Sequence, residues 1–519
     1  MSVFRFPKTT ALVLGLVSAT GFAPLNLWPV TLIALAVLMH LVSRAETLKE
    51  ALARGYWFGA GHFALGLNWI AGSFQYQDAM PAWLGWVAVV GLALFLAIYP
   101  AMAAGLAWRW GRRGLPFVLI FAAGWIVTEY LRATLFTGFA WNPLGVSMLA
   151  SGIFAALAIF FGTYGLSGLT ICISGWAYEM VCRWWRGERN YQLWIEAIPF
   201  SFIIFVMMIA PWVRPQIENA PNEGTLIRIV QPNIGQQDKH NDAFDAINFA
   251  KLKGLSGTPG PEPRLILWPE AAIPDYLDEK DGPAHDARAR ISALLGPKDI
   301  LLTGGVKLHY KRIDYSGYYQ DVVVGARNSL WVMDAKGQLL GRYDKSHLVP
   351  GGEYLPMKPL LSLIGLSRLV PGTVDFWPGP GPRTLRLPGF GKVGVQICYE
   401  IIFSGHVVDR ANRPDFLFNP SNDAWFGSWG PPQHLAQARL RAIEEGMPII
   451  RSTPTGISAV IDADGNVLHQ LPYKRAGYIE TLLPWPHPPT VFALYGNIIS
   501  LALAFFLGAL GVALRLKQR

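Results

Sequence analysis

From Thr9 to Ser43 the chain carries no Asp, Glu, Lys or Arg. A helix needs roughly 20 apolar residues to cross the hydrocarbon core of a bilayer, so this run is too long for one span. Pro24, Asn26 and Pro29 interrupt it and predict two helices joined by a tight turn. Charge-poor stretches recur up to residue 213, and further spans are expected at 55–72, 82–107, 115–131, 150–181, 194–213 and 491–514. With 52% hydrophobic and only 15% charged residues, the composition excludes an ordinary soluble protein.

Between residues 214 and 490 the charge density becomes that of a globular domain. This insert is long enough to bury its own core. The predicted organisation is therefore a polytopic α-helical membrane domain of about eight transmembrane helices, with one large soluble domain inserted. Residues 1–213 hold seven spans, 214–490 the soluble domain, and 491–519 the eighth span and a tail.

The net charge of +9 reads as topology rather than nucleic-acid binding. Arg5 and Lys8 precede the first span, and Arg44, Lys49 and Arg54 follow the second. Arg109, Arg112 and Arg113 follow the fourth, Arg183, Arg186 and Arg189 the sixth, and Arg515, Lys517 and Arg519 end the chain. The alternate loops, such as GSFQYQDAMPAW, carry almost no basic residues. All the basic loops fall on one side, which predicts cytoplasmic termini and a soluble domain outside the cytoplasm. A cleaved signal peptide is disfavoured, because a second apolar helix follows at once and no A-x-A pattern precedes it.

The soluble domain alternates strand-like and helix-like pieces, which predicts layered α/β packing around two sheets. TLIRIVQPNI, PRLILWPE and ILLTGGV read as strands. SLWVMDAKGQLLGRYDK reads as a hairpin turning at Lys336–Gly337, and SAVIDADGNVL as another with an Asp-Gly turn. PQHLAQARLRAIEEG reads as a helix closed by Gly446. In GKVGVQICYEIIFSG, Val393, Val395 and Ile397 alternate on one strand face, and Cys398 stands at its end.

The other two cysteines, Cys172 and Cys182, lie in or at the edge of the sixth span. No pair therefore suggests a disulfide or a metal cluster. His347, His406 and His434 are dispersed in sequence and are read as structural. Two further ionisable residues stand at strand ends: Glu270 closes LILWPE and Lys345 follows GRYD. A carboxylate, an ammonium and a thiol are the parts of covalent acyl transfer. The first takes the thiol proton, the thiolate attacks a carbonyl, and the cation stabilises the oxyanion. Taken one at a time, these residues could equally be a helix cap, a solvated turn residue and a buried strand cysteine.

The sequences around all three go further. WPEAAIP, GRYDKSHLVPGGEYLP and ICYEIIF…NPSNDAWFG resemble, in order and spacing, the Glu, Lys and Cys motifs of the nitrilase (carbon–nitrogen hydrolase) superfamily. Flanked by apolar spans and preceded by TEYLRATLFTGFAWNPLG, they are similar to its membrane-bound branch, the apolipoprotein N-acyltransferases. The resemblance covers nearly the whole chain. It implies an αββα sandwich with Glu270 as general base, Cys398 as nucleophile and Lys345 as the oxyanion cation. Glu353 would be the second glutamate, and Tyr399 would give its backbone N–H to the oxyanion. Glu400 and Asn328 match supporting positions. VPGGEY departs from the pattern, where an aromatic is expected before Gly-Glu.

The implied donor is a membrane phospholipid, and the implied acceptor is a lipoprotein bearing diacylglycerol on its N-terminal cysteine. The expected location is a bacterial inner membrane, with the protein acting as a monomer and without cofactor, metal or nucleic acid. Lifting an acyl chain into water costs on the order of 10 kcal/mol at ~0.8 kcal/mol per CH₂, so the triad is expected at the bilayer surface. The apolar stretch 355–370, with Leu361 and Ile364, is expected either to dip into the outer leaflet or to form an ordinary buried helix, and Trp425 and Phe426 either to line a lipid entrance or to pack in the core. A membrane-tethered amidase would use the same triad with water as acceptor. A transporter is disfavoured because few charges lie inside spans.

Overall fold

The computed structural model describes residues 5–76, 80–187, 224–239, 241–279, 281–315, 318–364, 367–369 and 374–518. Apolar helices form where the sequence predicts spans. They are α1 (Pro7–Ala19), α2 (Trp28–Ser43), α3 (Leu48–Gly66), α4 (Leu84–Leu96), α5 (Ile98–Trp110), α6 (Gly114–Thr134) and α7 (Ala158–Trp185). The first break falls as expected, and Pro29 sits in the first turn of α2, where its missing N–H leaves no partner unmet. Helices α1 and α3 meet through glycines: a Cβ on Gly15 would lie 2.0 Å from Phe58 O, and one on Gly61 2.1 Å from Leu12 O. Small residues allow such close backbone approach where lipid supplies no hydrophobic drive.

Two boundaries differ from expectation. Helix α3 starts at Leu48 rather than 55, because Thr47 caps it by accepting from Glu50 N, and so Lys49 and Arg54 are helical. Residues Leu144–Ser151 form a 3₁₀ stretch between Pro143 and Gly152, and α7, kinked at Gly162, begins only afterwards. Among the described residues, four segments are long and apolar enough to cross a bilayer by length and composition: Leu84–Trp110, Gly114–Thr137, Ala155–Trp185 and Asn497–Lys517. Helices α1 and α2 have 13 and 16 residues. At 1.5 Å per residue they extend only about 20 and 24 Å, short of a ~30 Å core. The expected span 194–213 and Arg189 lie outside the described residues.

Among the described residues, 226–482 contain two six-stranded sheets. The first comprises β1 (Leu226–Gln231), β2 (Arg264–Leu267), β3 (Ile300–Tyr315), β4 (Tyr318–Asp334), β5 (Leu339–Asp344) and β12 (Gly477–Leu482), in the order β12-β1-β2-β3-β4-β5. The second comprises β6 (Thr384–Leu387), β7 (Gly391–Val395), β8 (Phe416–Pro420), β9 (Ile449–Ser452), β10 (Ala459–Ile461) and β11 (Val467–Gln470), in the order β11-β10-β9-β8-β7-β6. Both predicted hairpins form. Asp334 Oδ1 accepts from Lys336 N and Gln338 N at the first turn, and Asp462 Oδ1 from Asp464 N and Asn466 N at the second.

The alternation read in the sequence sorts the two faces. Ile227, Leu265 and Leu302 share one buried cluster with Val393, Phe418 and Ile450 between the sheets. The other face of the first sheet, through Val230, Ile266 and Leu301, receives Leu252 of α8 (Asp245–Ser256) and Ile291 of α9 (Gly282–Ser292). Helix α10 (Gly430–Glu445) packs on the second sheet and completes the expected αββα layering. Gly446 closes it in the left-handed region at φ 61°.

Helix α10 also forms the seam with the apolar helices. Trp141 Nε1 donates to Gln433 Oε1 at 2.8 Å. Glu444 Oε1 accepts from Thr163 Oγ1 at 2.6 Å and Ser404 Oγ at 2.7 Å. The last helix, α11 (Asn497–Lys517), is tied on by Asn497 Nδ2 donating to Ser404 O at 2.7 Å.

Candidate active site

The ends of β2 and β5 and the middle of β4 place three of the predicted side chains together. Beyond β2, Trp268 N donates to Leu302 O at 2.9 Å, so the chain stays paired with β3 as far as Glu270. Gly304 makes room: a Cβ there would lie 2.4 Å from Ala271 N and 2.8 Å from Glu270 Cα. Lys345 N bonds Asn328 O at 2.8 Å, which carries the β4–β5 ladder one residue past β5.

These side chains form one buried cluster. Lys345, 1% exposed, donates from Nζ to Glu353 Oε1 at 3.0 Å and to Glu270 Oε1 at 3.4 Å. Asn328 Nδ2 donates to the same two oxygens, at 3.0 Å and 2.7 Å respectively. Val349 N holds Glu353 Oε2 at 2.9 Å. Glu270 Oε2 is buried without any other partner among the described residues, and the Cys398 thiol is a hydrogen-bonding and charge neighbour of the carboxylate.

Cys398 is not on the strand itself. β7 ends at Val395, and Cys398 opens a 3₁₀ helix, Cys398–Ile402, with φ +53°. A non-glycine residue in that region is strained and persists only when its surroundings hold it. Here the hold is on its carbonyl oxygen, which receives His434 Nε2 at 3.1 Å and Asn419 Nδ2 at 3.4 Å. A carbonyl only accepts, so His434 carries a proton on Nε2, while its Nδ1 lies 2.9 Å from both Asp423 Oδ1 and Arg451 Nη2. Arg451 also contacts Asp423 and Asn419.

Glu400 does not touch the triad. Its Oε1 accepts from Tyr343 OH (2.8 Å), Ser346 N (2.7 Å), Ser346 Oγ (2.6 Å) and His347 N (3.2 Å), and its Oε2 from Ile397 N (2.7 Å). It thus ties the residues after Lys345 to the residue before Cys398. Tyr399 reaches towards the apolar helices, with OH 3.4 Å from Gly138 O. That loop is held in turn by Arg132, which donates to Phe139 O and Trp141 O, and by Glu129, which accepts from Leu144 N at 2.8 Å.

Electrostatics divide the roles. For Glu270, burial favours the neutral acid. Lys345, then Lys239 and the Asn328 bond, outweigh it and hold the carboxyl below its usual range. For Lys345, burial opposes charge, but Glu353 and Glu270 more than compensate and keep it an ammonium. Burial, followed by the Glu270 charge, pushes the Cys398 thiol well above its usual value.

Two functional neighbours gave no signal in the sequence. Lys239, at the end of the short helix Gln236–Lys239, donates from Nζ to the Glu270 backbone O at 2.8 Å. Burial lowers it to about 8 against the pull of Glu270 and Cys398. His434, read as structural and dispersed, sits on the Cys398 carbonyl. The donor atoms of Cys398, Asp423 and His434 lie within 4.8 Å of one another. Arg451 occupies the same carboxylate and imidazole, so the set suits positioning better than cation binding.

Phe426 is buried against Trp69 (ring centroids 4.5 Å), Trp141 (5.5 Å) and His434 (5.8 Å). Trp425 is half-buried near Tyr76, and its carbonyl accepts from Ser73 Oγ at 2.9 Å. The side chains of Leu361 and Ile364 lie outside the described residues.

Residues 247–484 match the carbon–nitrogen hydrolase family profile, and residues 14–176 the profile of the apolipoprotein N-acyltransferase N-terminal domain. A Bradyrhizobium diazoefficiens protein named apolipoprotein N-acyltransferase is 34% identical, covering 98% of this chain and 94% of its own length. The chain belongs to the apolipoprotein N-acyltransferase family. Proteins of the same name from Rhodopseudomonas palustris (33% identical, covering 94% of this chain and 91% of its own) and Caulobacter vibrioides (33%, 98% and 94%) agree. As an acyltransferase of the nitrilase superfamily, the chain joins the family's two parts where the Gly138–Trp141 loop meets Tyr399.

Proposed function

We propose that the chain moves a fatty acyl group from a membrane phospholipid to the α-amine of a lipoprotein's diacylglyceryl-cysteine, through a thioester on Cys398. The observation that carries this reading is the buried convergence of Glu270, Lys345 and Cys398 above a loop supplied by the apolar helices. In the first half, Glu270 Oε2 takes the thiol proton as sulfur bonds the ester carbonyl carbon. Lys345 Nζ and the Tyr399 N–H stabilise the oxyanion. That amide lies in the first turn of a 3₁₀ helix, where it has no intrahelical acceptor. The ester C–O bond breaks, and lysophospholipid leaves with the proton from Glu270. In the second half the neutral amine attacks, Glu270 takes its proton, and the C–S bond breaks to restore the thiol.

Glu270 is held low and Cys398 high, so full ionisation of the thiol before attack would be strongly uphill. Proton transfer and attack therefore proceed together, the charge passing to the carbonyl oxygen beside Lys345. Glu353 and Asn328 hold the cation and base in register, and Glu400 holds the two loops.

In the finer reading, the apolar segments form about eight spans with both termini in the cytoplasm. The domain at 214–490 then lies outside the cytoplasmic face of a bacterial inner membrane, and the chain acts as a monomer. The stretch 355–370 and Trp425 would meet the lipid. The test incubates the purified chain with phospholipid vesicles and a diacylglyceryl lipopeptide. Triacylated peptide and lysophospholipid in equal amounts are expected, whereas free fatty acid with unmodified peptide would favour a hydrolase.

A further inference from the structure

Beside Cys398, two amide side chains face each other. Asn422 Nδ2 donates to Gln236 Oε1 at 2.9 Å. Gln236 is 3% and Asn422 7% exposed. Their remaining atoms, Gln236 Nε2 and Asn422 Oδ1, are buried and have no hydrogen-bond partner among the described residues. Exchanging O and N in both amides keeps their mutual bond and still leaves one donor and one acceptor, so the pattern does not depend on how they are oriented. An unmet buried donor or acceptor costs about 1–3 kcal/mol.

Position gives the pair its meaning. The backbone N–H of Asn422 is directed at the Cys398 sulfur and favours its thiolate. Gln236 belongs to the short helix whose last residue, Lys239, bonds the Glu270 backbone. One donor beside one acceptor is the complement of a peptide group, which offers C=O and N–H. In an N-terminal residue the α-amine and the first peptide group share one Cα, so only about 2.5 Å separates the amine nitrogen from the peptide carbonyl carbon. An amine attacking a thioester on Cys398 must therefore bring its first peptide group close to this sulfur. Neither the ester nor the acyl chain of the donor offers an N–H.

We propose that Gln236 and Asn422 form an acceptor subsite that reads the first peptide group of the lipoprotein substrate and distinguishes it from other amines. The subsite rests on the thioester reading above and concerns only its second half.

The test loads Cys398 from phospholipid vesicles and then chases with either of two acceptors. One is a diacylglyceryl-cysteinyl peptide, and the other is S-diacylglyceryl-cysteamine, which has the amine but no peptide group. Comparing variant with wild type for each acceptor cancels their difference in amine basicity. Gln236→Leu is expected to slow transfer to the peptide about tenfold to a hundredfold while changing transfer to cysteamine far less. Gln236→Glu keeps the side chain's size and its bond from Asn422 but removes the donor, and should lose the same selectivity if the leucine variant fails to fold. Equal losses with both acceptors would make the pair a structural link, and no loss with either would also overturn the subsite. A wild-type chain that never acquires the acyl group would instead overturn the thioester reading.

Discussion

Replacing Glu353 with glutamine removes one charge and no volume. Glu353 Oε1 lies 3.0 Å from Lys345 Nζ and 3.0 Å from Asn328 Nδ2, both buried. At that separation, with an effective dielectric constant near 20, the attraction on Lys345 is about 5 kcal/mol. A neutral amide oxygen still accepts a hydrogen bond worth about 1 kcal/mol, so about 4 kcal/mol of support for the ammonium is lost. Lys345 keeps Glu270 as counter-ion, so the fold should survive with less than the ~3–5 kcal/mol cost of a fully unpaired buried charge. The site suffers more. With a single carboxylate left, Lys345 is drawn to Glu270, which weakens the base and displaces the cation from the oxyanion. Thioester formation should fall about 10²–10³-fold, as when an oxyanion donor is lost. The assay follows the intact mass of the chain after rapid mixing with phospholipid vesicles. Thioester formation at the wild-type rate in a folded Glu353→Gln protein would refute the assignment of Lys345 as the working cation.

Lys239→Met should slow thioester formation about tenfold, since it removes a half-buried cation bonded to the Glu270 backbone. An unchanged rate would make Lys239 irrelevant. His434→Leu removes the donor on the Cys398 carbonyl and should cost about 1–3 kcal/mol of stability, read as a lower melting temperature in detergent; a melting temperature equal to wild type would exclude that role. The two half-reactions should differ in pH dependence. Glu270 works as the carboxylate and is held below its usual range. It is therefore present throughout pH 5 to 8 and lost only as pH falls below that window, which leaves thioester formation flat until Lys239, lowered to about 8, begins to lose its charge near the top of it. Transfer needs a neutral α-amine, whose usual value is about 7.7–8.0, so its rate should climb with pH towards 8. A common acid limb for both halves would contradict this division.

Much of the site is legible in the sequence because strand ends announce themselves. The patterns of LILWPE, GRYDK and VGVQIC mark where each strand stops, and the candidate site residue follows one to three positions beyond. The same patterns give both hairpins and the closing glycine of the long helix at 430–445. What the sequence hides acts through backbone atoms or across long separations. Lys239 bonds a carbonyl 31 residues away, and His434 one 36 residues away. Neither contact leaves a local pattern, because any residue supplies a carbonyl. Glu400 is visible by its place after Cys398, yet its work of joining two loops through five hydrogen bonds appears only in the fold. The helix ends at 48 and 158 slip for a similar reason, since Thr47 and Gly152 act there against the apolar period.

The account stands most directly on what becomes of Cys398 in contact with lipid. Mass spectrometry of the chain after exposure to phospholipid vesicles should find one acyl group on Cys398 and nowhere else. The group should persist until a diacylglyceryl lipopeptide is added, and then appear on the peptide's amine. A Cys398→Ala chain that still acylates the lipopeptide at the wild-type rate would contradict it.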